Sequence, residues 1–350
     1  MHENRETSWL AAEQAGSPAG KGLGRSVRAN GGEESDGVAV AMQQANKVAE
    51  QQAAVAESVE GRTPTKENTS QEHTPPAQDG PRVSQGLAGV RGVARARRQE
   101  KFTSLLHHLS LDLLRSSFRH LKKEAAPGVD GVRWAEYEEG LETRLAELKD
   151  RIHRGAYRAQ PSRRIYIPKA DGRQRPIGIA ALEDKIVQQA VVTILNEVYE
   201  VDFRGFSYGF RPGRSPHQAL DALSVGIQRK KVNWILDADI RGFFDQMSHE
   251  WTMKFVQHRI ADRRILRLIQ KWLKAGVSED GEWWETTVGT PQGAVISPLL
   301  ANVYLHYVLD VWLEAWRKKV ASGAGVAVRY ADDRAPRAQR AEEGPMGVTV

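Results

Sequence analysis

The 350-residue chain carries 50 Lys/Arg against 44 Asp/Glu, a net charge of +6, and no cysteine, which excludes disulfides and thiolate metal sites. No apolar run approaches the roughly 20 residues that cross a bilayer, and the N-terminus lacks the apolar core of a secretory signal, so a cytoplasmic protein with no membrane partner is expected. The charge is uneven: residues 1–80 hold 7 Lys/Arg against 12 Asp/Glu, and the remainder 43 against 32. A basic remainder suits a polyanionic partner, because Lys and Arg that neutralise phosphates release counterions.

Of 9 Trp, 8 Tyr and 8 Phe, only Trp9 precedes Phe102. A leader so poor in bulky side chains cannot bury enough apolar surface to repay chain ordering, so residues 1–98 are read as disordered, with a transient helix at Val38–Ser58. From Lys101 to Lys123, Leu105, Leu106, Leu109, Leu113, Leu114, Phe118 and Leu121 recur at helical spacing, and Pro127-Gly128 stops the helix. Trp134, Tyr137, Leu141, Leu145, Leu148 and Ile152 predict a second helix, ended by Gly155. Both stripes read as core. The runs Arg164–Pro168 and Gln174–Ile179 flank Ala170-Asp171-Gly172 and predict a β-hairpin. Helices follow over Ala181–Tyr199 and Pro216–Arg229, the latter with Ser215 as N-cap. Val232–Ala238 predicts a strand, Ile265–Leu273 a helix, Ser297–Lys319 a long helix with basic residues in its last turn, and Gly325–Tyr330 a strand. The mixture is an α+β pattern.

Two carboxylate clusters stand at strand ends. Asp237-Ala238-Asp239-Ile240-Arg241-Gly242-Phe243-Phe244-Asp245 follows the Trp234–Leu236 run, and strand alternation puts Asp237 and Asp239 on one face. Asp332-Asp333 follows Tyr330-Ala331. Taken alone, adjacent aspartates are most often a solvated turn. Two clusters after hydrophobic strands, in a basic chain, fit the need of nucleotidyl transfer for two divalent cations about 3.5–4 Å apart on hard oxygen ligands.

The order of blocks resembles the reverse transcriptases encoded by bacterial group II introns. Asp239-Ile240 with Phe243-Phe244-Asp245 comes first, then Gly289-Thr290-Pro291-Gln292-Gly293 with Ser297-Pro298-Leu299-Leu300-Ala301-Asn302, then Tyr330-Ala331-Asp332-Asp333. Upstream, Arg164–Lys169 with Arg175–Ile179 and Gly205–Ser215 resemble the family's two fingers motifs, and Ala126–Gly131 its N-terminal extension. The resemblance implies a right-hand polymerase, with residues 99–231 as N-terminal extension and fingers and 232–333 as palm. It implies RNA-templated DNA synthesis with intron RNA as template, a DNA primer, dNTPs and two Mg²⁺ ions, for which Mn²⁺ substitutes. Asp239, Asp332 and Asp333 would be the catalytic and metal carboxylates. Lys169, Arg175, Phe244 and Gln292 would hold the nucleotide, Phe244 as the flat aromatic that leaves no room for a 2′-hydroxyl. Gln292, Gly293 and Arg211 would meet template and primer. Asp237 and Asp245 are read as structural, and His217, His249 and His306 as surface or packing residues rather than ligands.

The family follows its Asp-Asp turn with a hydrophobic strand, whereas Arg334–Pro345 here has no apolar alternation and two prolines. A central strand is therefore not expected there. The palm sheet should be incomplete, with an unpaired edge beside the metal site. Residues 334–350 are read as an aberrant tail behind a frameshift near codon 334, with the thumb missing and polymerase activity impaired. The rival readings are a non-catalytic RNA-binding splicing factor, an inactive pseudogene fragment, and an RNA-templated RNA polymerase, which Phe244 and Tyr330–Asp333 disfavour.

Overall fold

The computed structural model describes residues 81–168, 172, 174–230, 234–321, 325–331 and 333–338. The Val38–Ser58 segment, Lys169 and Asp332 lie outside them. Helix α1 (Pro81–Ala96) buries Leu87, Val90 and Ala94, and Arg91 pairs with Glu197 at 2.5 Å, so the expected leader boundary at 98 is corrected: sixteen residues near its end are helical. A small apolar stripe on an Ala/Gly-rich helix was enough, because other helices supply the bulk of the contact.

The stripe expected over Lys101–Lys123 divides in two. A 3₁₀ turn at Leu106–His108 precedes α2 (Leu111–His120), and Ser110 caps α2 by accepting from the Leu113 N–H at 3.2 Å. The buried Asp262 carboxylate, from a distant helix, accepts from the Leu105 and Leu106 N–H groups at 2.7 and 3.0 Å and holds the break open. The next expected helix also divides, into α3 (Trp134–Glu138) and α4 (Leu141–His153), at Gly140, which adopts φ 75°. The predicted stripes still face inward: Phe118 stacks on Trp134 at 4.6 Å, and Leu145, Leu148 and Ile152 are buried.

The fingers sheet runs in the order β2-β1-β5-β6. Strands β1 (Ser162–Pro168) and β2 (Gln174–Ile179) form the predicted antiparallel hairpin, with Pro168 opposite Gln174. Strand β5 (Val277–Glu279) lies parallel to β1 and antiparallel to β6 (Glu282–Trp284). Helix α5 (Leu182–Tyr199) runs through the core with Ile186, Val187, Ala190, Val191, Ile194, Leu195 and Val198 all buried. Apolar residues on every side mark an interior helix. Helix α6 (Pro216–Lys230) opens on the predicted cap: Ser215 N–H donates to Gln218 at 3.1 Å, and Gln218 N–H returns to Ser215 Oγ at 3.3 Å.

The palm sheet corrects two expectations. The single strand read over Val232–Ala238 is two short ones, β3 (Trp234–Ile235) and β4 (Ala238–Asp239). Strand β7 (Gly325–Tyr330) turns directly into β8 (Asp333–Ala338), the stretch judged unfit for a central strand. β8 nonetheless sits in the middle, paired with β7 on one side and with β3 and β4 end to end on the other, so the expected gap beside β7 is filled and the described sheet has four strands. The physical reason lies in the register. Trp234 faces Ala338, Ile235 faces Arg337, Ala238 faces Arg334 and Asp239 faces Asp333. The same offset puts the interruption at Leu236–Asp237 opposite Pro336 and Ala335. The ladder is thus broken where proline has no N–H to give. On the other side β7 stays paired throughout, with Ala327 opposite Pro336.

The remaining helices back the palm: α7 (Phe243–Gln246), α8 (His249–Gln257), α9 (Arg263–Leu273) and α10 (Ser297–Leu305). The long helix predicted over Ser297–Lys319 forms, with one π turn at His306–Asp310 before α11 (Val311–Lys319). Among the described residues no helix is long and apolar enough to cross a membrane.

Candidate active site

The two carboxylate clusters meet across one sheet. Asp239 ends β4, and its Cα partner in β8 is Asp333. Asp333 is also the partner of Tyr330 in the β7–β8 pairing. One rung and one hairpin therefore bring the two clusters together. Asp237 and Asp239 are both exposed and Ala238 between them is half-buried, but Asp237 falls in the break between β3 and β4 rather than on a strand. Among the described residues no group of three His, Cys, Asp or Glu converges as a ready metal cage. The open aspartates fit cations that keep several waters, since such ions need few protein oxygens.

The turn is held from behind by groups the sequence reading missed. Arg329, on the strand just before the turn, is 1% exposed. Its Nε and one Nη donate to both oxygens of buried Asp310 at 2.8 Å each. The other Nη donates to Asn302 Oδ1 at 3.0 Å and to the Ala331 carbonyl at 2.8 Å, and Ser207 Oγ accepts at 2.6 Å. The backbone of the second fingers motif docks on the same residue: Arg329 N–H donates to the Phe206 carbonyl and Tyr208 N–H to the Arg329 carbonyl, both at 2.8 Å. Gly209 then passes so near the turn that a Cβ on it would stand 2.1 Å from the Ala331 nitrogen. Ala331 itself takes φ 57°, a left-handed conformation for a residue with a Cβ. A charged residue inside the otherwise apolar run Gly325–Tyr330 was the available signal.

Phe244 is half-buried and wedged edge-on between Phe243 and Phe210, with ring centroids at 5.6 and 6.4 Å. The Gly289–Gly293 loop ties this element to the fingers. Thr290 N–H donates to the Phe244 carbonyl at 2.8 Å, and Gly289 N–H to the Met247 carbonyl at 2.9 Å. At its other end Gly178 N–H of β2 donates to the Gln292 carbonyl at 2.7 Å. Gly293 adopts φ 104°, and a Cβ there would stand 2.9 Å from the Gly178 carbonyl oxygen. The glycine thus serves a close approach to the fingers strand. The Ser297 hydroxyl, in the first turn of α10, meets Thr290 Oγ1 at 2.5 Å and the Pro291 carbonyl at 3.2 Å.

Arg175 lies exposed on β2, opposite Ile167. Arg211, expected at the template or primer, is 7% exposed; its guanidinium pairs with Glu200 at 2.8 Å and donates to the Arg204 and Ser207 carbonyls at 2.8 and 2.6 Å. It braces the loop that carries Ser207. Of the histidines read as non-ligands, His217 is exposed and His249 Nε2 meets the Gly289 carbonyl. His306 is buried edge-on against Phe203; burial, with Arg204, Arg329 and Arg211 nearby, lowers its pKa to about 4. It is therefore neutral at pH 7.

The family model for reverse transcriptase (RNA-dependent DNA polymerase) matches residues 167–343, ten residues beyond Asp333. The reading of everything after 333 as foreign to the family thus loses its ground over that stretch. Protein YkfC of Escherichia coli is 37% identical over 218 residues, 58% of this chain and 57% of its own. Group II intron-encoded protein LtrA of Lactococcus lactis is 35% identical over 209 residues, 59% of this chain and 35% of its own. Nuclear intron maturase 1, mitochondrial, of Arabidopsis thaliana is 29% identical over 92 residues, 26% of this chain and 13% of its own. The chain thus spans little more than half of the first of these relatives and about a third of the second.

Proposed function

The chain belongs to the reverse transcriptase (RNA-dependent DNA polymerase) family, and on that premise we propose that it extends a DNA primer on an RNA template and binds intron RNA to assist splicing. The reading rests above all on the rung that joins Asp239 to Asp333. Asp239 and Asp332 would hold two Mg²⁺ ions between them, with Asp333 the third carboxylate; when bound, such ions would supply activation of the attacking 3′ oxygen and charge stabilisation for the departing pyrophosphate.

The chain's own side chains do the positioning. The Phe244 ring, fixed by Phe243 and Phe210, lies flat under the incoming sugar and excludes a 2′-hydroxyl. Lys169 and Arg175, from the β1–β2 hairpin, supply cationic donors to the triphosphate. Gln292 and Gly293, whose loop is bonded to both fingers and palm, form the shelf for the templating pair.

Primer extension on an RNA template with dNTPs and Mg²⁺, run beside Asp332→Ala, tests the catalytic claim. The expected result is extension by the wild type and at least a hundredfold less by the variant; equal background in both refutes it. Filter binding to intron RNA over a salt series separates the rival, a splicing factor that binds RNA without catalysis. Binding that weakens with salt beside absent extension supports that rival.

A further inference from the structure

Behind the turn lies one guanidinium with five N–H donors and five acceptors. Nε meets Asp310 Oδ1, one Nη meets Asn302 Oδ1 and the Ala331 carbonyl, and the other meets Ser207 Oγ and Asp310 Oδ2, all between 2.6 and 3.0 Å. Arg329 is 1% exposed and Asp310 fully buried. A buried ion pair gives little net stability over a well-packed apolar pair of the same volume. What it does supply is direction, because a planar fork accepts only one arrangement of partners. Three of the partners come from two elements: Ser207 from the second fingers motif, and Asn302 and Asp310 from the palm helix. The fourth, the Ala331 carbonyl, belongs to the peptide joining Ala331 to Asp332.

We propose that Arg329 is a positioning residue for the carboxylate turn. It fixes the peptide before Asp332 and makes that placement depend on the docking of the fingers segment Phe206–Gly209. Asn302 closes the loop: it accepts from Arg329 and donates from Nδ2 to the Gly209 carbonyl at 2.8 Å, on the residue that touches the turn. Displacing the fingers segment would remove the Ser207 acceptor, the two backbone bonds to Arg329 and the stop against Ala331 together. This inference rests on the proposed role of Asp332 and adds to it the residue that aims the carboxylate.

The test uses the full chain and Mn²⁺, whose binding is read directly by electron paramagnetic resonance, alongside steady-state primer extension. Arg329→Lys keeps the charge but offers three donors without the fork. Measured well below its melting temperature, it is expected to weaken Asp332-dependent Mn²⁺ binding at least tenfold and lower kcat at least tenfold, with KM for dNTP within about threefold of wild type. Ser207→Ala removes one acceptor and leaves the Asp310 pair. It is expected to give a smaller shift in the same direction, about threefold, and it carries the test if Arg329→Lys fails to fold. Unchanged Mn²⁺ affinity in a folded variant, with only the melting temperature lowered, would mean a purely structural arginine and overturn the proposal. Wild-type Mn²⁺ binding that Asp332→Ala does not reduce overturns it as well. A wild type that binds Mn²⁺ through Asp332 yet extends no primer sinks the proposed activity and leaves the metal-binding arm to judge Arg329.

Discussion

Gly209→Ala adds a single methyl group where the fingers loop crosses the carboxylate turn. That carbon would lie 2.1 Å from the Ala331 nitrogen, 2.8 Å from its Cα and 3.0 Å from its Cβ. Ordinary contact needs about 3.5 Å, so one of the two backbones must retreat by roughly 1.4 Å. Neither is free to do so: Gly209 is held by Asn302, and Ala331 by Arg329. Overpacking of this kind costs about 1–3 kcal/mol, which lowers the melting temperature of a domain this size by roughly 2–10 °C. Misplacement of a reacting group by about 1 Å costs around a hundredfold in rate, so primer extension should fall by more than the stability loss accounts for. Gly205→Ala is the matched control, because it has no atom within 4 Å of the added carbon and no positive φ. Thermal unfolding and single-turnover extension of both variants decide the matter. If Gly209→Ala matches Gly205→Ala within about 0.5 kcal/mol and in rate, the contact does not place the turn.

Asp262→Ala removes the acceptor for the Leu105, Leu106 and Arg264 N–H groups; a lost cap plus two orphaned buried donors should cost about 2–4 kcal/mol in denaturant unfolding. His306 has its folded pKa near 4 against the ordinary 6.5. Its unfolded form takes a proton first, so stability is complete above pH 6.5 and is lost as pH falls towards 4, by on the order of 3 kcal/mol. Burial raises Asp184 to about 6 and acts the other way over that window, so the measurement is the difference between wild type and His306→Gln, which should lose the His306 share of the acid slope. Arg211→Met should lower stability by about 1–3 kcal/mol, since it strands Glu200 and two carbonyls. RNA affinity measured below its melting temperature should stay within twofold of wild type; a tenfold loss would restore Arg211 to the template surface.

Periodicity located most of the helices, because each buries a stripe against a neighbour and the stripe is local information, but α1, α7 and α8 went unread. It misplaced the breaks. The division at Leu105–Ser110 depends on Asp262, more than 150 residues away, and no local pattern contains that carboxylate. Gly140 could have been read as a break, but an apolar stripe continuing at the right phase on both sides masked it. β8 failed for a related reason. Two prolines and a run of arginines weigh against a strand residue by residue, yet the pairing asks only whether each N–H that faces a partner exists. Pro336 falls opposite the one gap in the β3–β4 edge, a fact fixed by register and not by composition.

The blocks of the candidate site were legible because they carry unusual residue types at fixed spacing. What was hidden is how they are joined. The Gln292–Gly293 loop reaches the fingers through Gly178, the Gly205–Ser215 motif reaches the turn through Gly209 and the backbone of Phe206 and Tyr208, and Thr290 reaches Phe244 through its backbone. Each joint is a backbone hydrogen bond or a missing Cβ, the two features that leave the faintest trace in a side-chain pattern. Only Arg329 and Asp310 mark a joint with charge, and a charge is costly to bury unless every donor is met. Such a pair inside an apolar strand and helix is therefore the trace by which a long-range joint can be found: a buried guanidinium implies partners elsewhere, and here they hold both ends of the site.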